Sequence, residues 1–274
     1  MNKIELSYAS KIEHNFAQRL IIKTIEKLTG KTKLEKIYKE FSKDNRDPRF
    51  FWSGILEFMD IKIINKSKIN LIIPPRGPLI IIANHPFGII DGLILCSIAS
   101  KFREDFKIMT HETLKLLPEL DKYILPIEFG EKNKDAVRNN IDTTKKAKKH
   151  LLSGGLLIIF PSGGVMNSKN RKHAMEKDHW KLFTAKLIQQ TKSDILPIYF
   201  DGKNGLLFDI FATKLKNQTL KYSSYIHETR KKIGKEIIIY SRKLIKFKEI
   251  EEIKDRTSLT NYLKMKTYDH INNE

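Results

Sequence analysis

His85 and Asp91 stand six positions apart, just behind an apolar run, in the stretch Ile81-Ile82-Ala83-Asn84-His85-Pro86-Phe87-Gly88-Ile89-Ile90-Asp91-Gly92. An imidazole beside a carboxylate is the pairing that general-base chemistry uses. The carboxylate holds one ring nitrogen and leaves the other free to take a proton. On a continuous helix, residues six apart lie about 240° around the axis, so these two side chains can meet only across a turn. Pro86 keeps His85 out of helical geometry, and Gly88 has access to backbone angles closed to other residues, so the chain can reverse between them. Asp91 then falls in the first turn of the next helix, where the dipole favours a carboxylate. A buried histidine satisfied by a helix-capping aspartate, with no chemistry, uses the same letters.

A second stretch, Pro161-Ser162-Gly163-Gly164-Val165, follows the apolar run Leu156–Phe160. Small residues just past a strand let a substrate approach the backbone, and N–H groups there suit an oxyanion or a head group. A plain tight turn explains the same residues. Ser162 lacks the surroundings of a serine-hydrolase nucleophile elbow. His111, His173 and His179 have no neighbours at metal-ligand spacing, so no metal site is expected.

The elements that would position these residues follow from periodicity. Residues 11–43 show helical spacing, with Phe16, Leu20, Ile21, Ile25 and Leu28 on one face and Leu34, Ile37, Tyr38 and Phe41 on another, which predicts two amphipathic helices separated near Gly30. The aromatic segment Phe50–Met59 reads as a core helix, with a surface that dips into a bilayer as the alternative. From Ile61 the pattern is α/β. Strands are predicted at Ile61–Ile64, Asn70–Ile73, Leu79–Ala83, Lys107–Thr110, Ile124–Phe129, Leu156–Phe160, Ile195–Phe200 and Glu236–Tyr240. Helices are predicted at Gly88–Ala99, Asp135–Leu152, Asp178–Gln190 and Leu220–Lys232. The alternation specifies a mixed, largely parallel sheet flanked by helices, with a small helical N-terminal extension: residues 1–60 helical, residues 61–274 one α/β domain.

Composition narrows the partners. Lys and Arg number 51 against 32 acidic residues, a formal charge of +19. Such a field suits nucleic acid, an anionic membrane or an acidic protein, or it reflects Lys-rich solvated helix faces such as Lys145–Lys149. No nucleic-acid motif or stacking array accompanies the charge. The one cysteine, Cys96, excludes an intramolecular disulfide and fits a reducing compartment. Prolines 74, 75 and 78 interrupt the longest apolar candidate for a membrane span, and Met1–Asn15 lack a signal-peptide core.

Asn84-His85-Pro86 with Gly88 and Asp91 resembles the first motif of the glycerolipid acyltransferases, and its five intervening residues resemble the hemolysin-like branch that includes lyso-ornithine-lipid acyltransferases. Phe160-Pro161-Ser162-Gly163 is similar to the third motif of that family, with Ser162 in place of its usual Glu and no following Arg. Ile195-Leu196-Pro197-Ile198 is similar to the fourth. The likeness continues through Asp178-His179-Trp180, Gly202-Lys203-Asn204-Gly205 and the Arg230–Tyr240 segment. It implies transfer of a fatty acyl group from an acyl carrier protein or coenzyme A thioester to a lyso-lipid hydroxyl, with no bound cofactor. His85 and Asp91 would be catalytic, and Asn84, Gly88, Pro161, Ser162 and Gly163 would bind substrate. The missing Arg points to a lyso-aminolipid such as lyso-ornithine lipid as acceptor. Lysophosphatidate, or a non-catalytic basic protein on a membrane or nucleic acid, is the alternative. The expected location is cytoplasmic, peripheral on the inner face of the cell membrane, with no nucleic-acid partner.

Overall fold

The apolar run Leu79–Ala83 forms the middle strand of a seven-stranded sheet. The computed structural model describes residues 31–42, 50–68, 70–111, 118–127, 134–165, 175–176, 178–209 and 218–269. In chain order these hold helices α1 (Lys31–Ser42) and α2 (Phe51–Phe58), strands β1 (Lys62–Asn65) and β2 (Leu79–Ala83), helix α3 (Ile89–Ser100), strand β3 (Phe106–His111), a 3-10 segment Pro118–Tyr123 and strand β4 (Ile124–Ile127). Then come α4 (Lys134–Leu152), β5 (Leu156–Ile159), α5 (Phe183–Thr191), β6 (Asp194–Asp201), α6 (Leu206–Asp209), α7 (Gln218–Lys231), β7 (Glu236–Ser241), α8 (Phe247–Ile250) and α9 (Arg256–Tyr268).

The strand order is β1-β7-β6-β2-β5-β3-β4. Strands β6, β2, β5, β3 and β4 are parallel, while β7 runs antiparallel to β6 and carries β1 parallel to itself at the edge. The sheet is therefore mixed and largely parallel, with helices on both faces. Successive side chains of a strand point to opposite faces, and β2 divides the core accordingly. Leu79, Ile81 and Ala83 join a cluster with α2 and α3, whereas Ile80 and Ile82 join one with α4, α5 and α9. A strand buried on both faces reads as an unbroken apolar run, as this one does.

The aromatic segment turns inward. Trp52 packs edge-on against Phe106 and Tyr123, with ring centroids 6.0 and 5.7 Å apart, so α2 is a core helix and Trp52 is not at a bilayer-facing surface. Of the two predicted N-terminal helices, the second is α1; the first lies outside the described residues.

Two expectations are corrected. Asn70–Ile73 is not a strand: it lies in the connection that takes the chain from β1 at the sheet edge to β2 at its centre. The helix expected from Asp178 begins at Phe183. Asp178 instead accepts hydrogen bonds from Trp180 Nε1 (2.7 Å) and Tyr268 Oη (2.8 Å), and the Lys181 N–H donates to Pro161 O (3.0 Å), which keeps the segment extended. The strand expected over Ile124–Phe129 spans Ile124–Ile127, and its last two predicted residues are outside the described set. Pro197 sits inside β6, which removes a ladder donor. It is accommodated because β7 pairing ends at Ile198 with Ser241, and at Pro197 the strand takes part through its carbonyl, which accepts the Arg242 N–H at 3.0 Å. Among the described residues no helix is long and apolar enough to cross a membrane.

Candidate active site

Because β2, β5 and β6 are adjacent and parallel, the loops that leave their C-terminal ends emerge side by side. These loops carry His85, the segment Phe160–Val165, and Gly202–Gly205. Open α/β sheets commonly bind ligands at such an edge.

His85 Nδ1 lies 2.9 Å from Asp91 Oδ2 across the predicted turn. The same oxygen accepts the N–H groups of Phe87 (2.8 Å) and Gly88 (3.0 Å), which fixes the carboxylate at the N-terminus of α3. Gly88 makes this possible: its φ of +78° is costly for any side chain, and an added Cβ would meet Tyr225 and Val165 at 3.3 Å. Asp91 is fully buried, and its Oδ1 has no hydrogen-bond partner among the described residues. Burial pushes the Asp91 carboxyl above the ordinary carboxylate range, against the opposing pull of His85 and the two N–H groups. Desolvating a carboxylate costs several kcal/mol, and three hydrogen bonds to a charged acceptor return ~1.5–3 kcal/mol each, so the two effects are of similar size. The carboxylate selects the tautomer with hydrogen on Nδ1, which leaves Nε2 a lone pair. The His85 side chain remains 17% exposed, and Nε2 has no partner among the described residues.

Two further contacts hold the ring. Phe160 stacks on it, with centroids 3.9 Å apart and planes 15° from parallel; such pairs contribute ~0.5–1.5 kcal/mol beyond area burial. Asn84 is fully buried, and its Nδ2 donates to Phe200 O (2.9 Å) while its Oδ1 accepts the Phe200 N–H (2.7 Å). The side chain thereby continues the β2–β6 ladder one residue beyond Ala83–Ile198. Both polar atoms of the Asn84 side chain are thus engaged with Phe200, and the Gly88 N–H is engaged with Asp91.

Phe160-Pro161-Ser162-Gly163 closes as a tight turn, with the Gly163 N–H on Phe160 O at 2.9 Å and Gly163 at φ +67°. That N–H is therefore occupied within the turn. The Ser162 hydroxyl donates to Gly164 O at 3.0 Å, and Pro161 is buried. Beside this turn lies a cavity of about 170 Å³ lined by Met109, Ile127, Ile159, Phe160 and Phe183, with Asn140, Thr144 and Lys181 among its polar residues. Phe160 thus touches both His85 and an apolar recess.

On the other side, the loop after β6 closes on Phe87: an added Cβ at Gly202 would lie 2.5 Å from Phe87 Cζ. Gly205 N–H donates to Glu228 Oε2 of α7 at 2.9 Å. Lys232, one residue past α7, places Nζ 4.1 Å from the centre of the Phe87 ring. Burial draws its ammonium below the usual lysine range, while Glu228 and Asp91 act in the opposite direction. Sequence reasoning missed Lys232 and the stacking role of Phe160. Nothing singles out one cation among 51, whereas Phe160 was already inside a recognised motif. Among the described residues no His, Cys, Asp and Glu cluster of three or more could hold a metal ion.

The acyltransferase family model matches residues 61–201, which include β2, the dyad, the Phe160–Val165 turn and β6. Two lyso-glycine lipid O-acyltransferases, from Phocaeicola vulgatus and Bacteroides thetaiotaomicron, are each 25% identical to this chain, over 213 and 214 residues. These alignments cover 77% of this chain and 72% and 74% of the relatives. The crystal structure of the 1-acyl-sn-glycerophosphate (LPA) acyltransferase PlsC from Thermotoga maritima superposes with a TM-score of 0.50 at 14% identity, covering 82% of this chain and 77% of that one. This last likeness is one of fold.

Proposed function

The chain belongs to the acyltransferase family, and from that premise we propose that it moves a fatty acyl group from a thioester to the free hydroxyl of a lyso-aminolipid. That it is an acyl-transfer enzyme acting on lysolipids follows from the family and the named relatives. The head group and the roles of individual residues are our reading. The observation that carries it is the His85–Asp91 pair, joined at 2.9 Å with Nε2 open at the C-terminal edge of the sheet.

In this reading Nε2 takes the acceptor hydroxyl proton as its oxygen attacks the thioester carbonyl. Asp91 stabilises the imidazolium, and the proton passes to the departing thiolate when the tetrahedral intermediate collapses. No covalent acyl-enzyme is needed. The Phe160 stack limits ring rotation, so Nε2 keeps its direction during the transfer. The recess beside Phe160 suits an acyl chain. Coenzyme A and acyl carrier protein both supply the thioester chemistry this mechanism needs.

The relatives' names favour glycine as the head group over the ornithine expected from the sequence. The turn after β5 agrees with an acceptor that lacks a phosphate monoester. Phe160–Val165 contains no guanidinium, whose bidentate fork suits phosphate oxygens. The test is a side-by-side assay of purified protein with an N-(3-hydroxyacyl)glycine and with lysophosphatidate, using one acyl donor. Faster turnover of lysophosphatidate overturns the head-group assignment; near-normal turnover by a folded His85→Ala protein overturns the dyad.

A further inference from the structure

Lys232 is a half-buried cation beside the dyad for which the described residues supply no counter-charge in contact. Among the described residues its Nζ makes no hydrogen bond or ion pair; it rests on the Phe87 ring at 4.1 Å. The nearby carboxylate of Glu228 is already held by Lys231 Nζ at 3.0 Å and the Gly205 N–H at 2.9 Å. Asp91 is held by His85, Phe87 and Gly88. A cation drawn partly out of water with no carboxylate of its own is costly. The same corner holds a buried polar group that calls for an explanation: Asn204, between Gly202 and Gly205, is 4% exposed, and neither atom of its amide is hydrogen-bonded among the described residues.

We propose that Lys232 binds the head-group carboxylate of the acceptor lipid, so that this side of Phe87 selects an amino-acid head group with a free carboxylate while His85 takes the hydroxyl. This rests on the lyso-aminolipid reading above. Phe87 lies two residues from His85, on the turn that carries the dyad, and an N-(3-hydroxyacyl)glycine presents its hydroxyl and its carboxylate from one short segment, so a base and a cation flanking the same turn can take one each. Phe87 links the two functions physically: its ring carries the Lys232 cation, and its N–H holds the carboxylate that orients His85. The ring fills the space that a Cβ at Gly202 would need.

The experiment compares kcat/KM for N-(3-hydroxyacyl)glycine with that for the matching glycinamide, which keeps the hydroxyl and amide but lacks the charge, using one acyl thioester. Wild-type protein should favour the carboxylate by roughly ten- to a hundredfold, the range for a hydrogen bond to a charged group. In Lys232→Met that ratio should collapse toward unity, through KM for the carboxylate acceptor, whatever the variant's absolute rate. Lys232→Arg should retain most of the preference. A wild-type protein that does not distinguish the two acceptors overturns the proposal, and so does an undiminished ratio in Lys232→Met. Equal loss on both acceptors assigns Lys232 a structural role and also overturns it. If the wild type acylates lysophosphatidate and neither glycine compound, the lyso-aminolipid reading itself has failed. That outcome is visible before any variant is made.

Discussion

Asn84→Asp is nearly isosteric and should convert the β2–β6 junction into a pH-dependent weak point. In the wild type the Asn84 amide donates to Phe200 O at 2.9 Å and accepts the Phe200 N–H at 2.7 Å, in a site with no solvent exposure. A protonated Asp at this position reproduces both bonds, its O–H taking the place of the amide donor. An ionised Asp sets a carboxylate oxygen against the Phe200 carbonyl with no water to intervene. The folded state therefore holds the proton, and the folded pKa of the new carboxyl is raised above its unfolded value of ~3.9. With a raised folded pKa, the variant's stability is fully present below about pH 4 and is lost as pH rises toward the folded pKa. The penalty grows by ~1.4 kcal/mol per pH unit over that window. It is then ~1.5 kcal/mol near pH 5 and reaches a ceiling of ~5 kcal/mol near pH 7.5 if the proton is retained throughout. Urea unfolding of wild type and variant at both pH values cancels the groups they share. The difference in their stabilities should widen by at least ~2 kcal/mol from the lower to the higher pH. A difference that stays constant within ~0.5 kcal/mol would show that Asn84 is not locked to Phe200.

Three further outcomes are expected. His85→Ala should abolish acyl transfer in a folded protein, and Asp91→Asn should lower kcat by at least about a hundredfold by removing the charge that stabilises the imidazolium; steady-state kinetics with circular dichroism separates both from misfolding. Gly202→Ala places a Cβ 2.5 Å from Phe87 Cζ at a φ of +138° and should destabilise the fold by ~1–3 kcal/mol in a thermal melt, whereas at Gly164 an added Cβ meets nothing within 4 Å, so Gly164→Ala serves as the neutral control. The +19 charge predicts sedimentation with anionic vesicles that weakens as salt rises, each basic residue near the surface contributing about 1 kcal/mol; a protein that stays in the supernatant at low salt refutes membrane docking by charge.

What could be read from the sequence was what local chemistry dictates. Leu79–Ala83 was legible to the residue because a strand buried on both faces leaves no polar position to blur its ends. The His85–Asp91 contact was legible because the residues between them permit only a turn, and the turn's own N–H groups then hold the carboxylate. Asn84 shows where this kind of reading stops. The family resemblance assigns it to substrate binding and says nothing of Phe200, its partner 116 positions away, which the register of β6 against β2 brings to it. The stack of Phe160 on His85 and the seat of Lys232 on Phe87 have the same origin, since each depends on which loops emerge side by side at one sheet edge. The residues to which we assign proton transfer are thus encoded within a dozen positions, while those packed around them are encoded by strand order. The resemblance to the family could point to the first group. Assigning Lys232 a ligand required seeing that neither Glu228 nor Asp91 pairs with it, which is a property of the folded corner and of no single stretch of sequence.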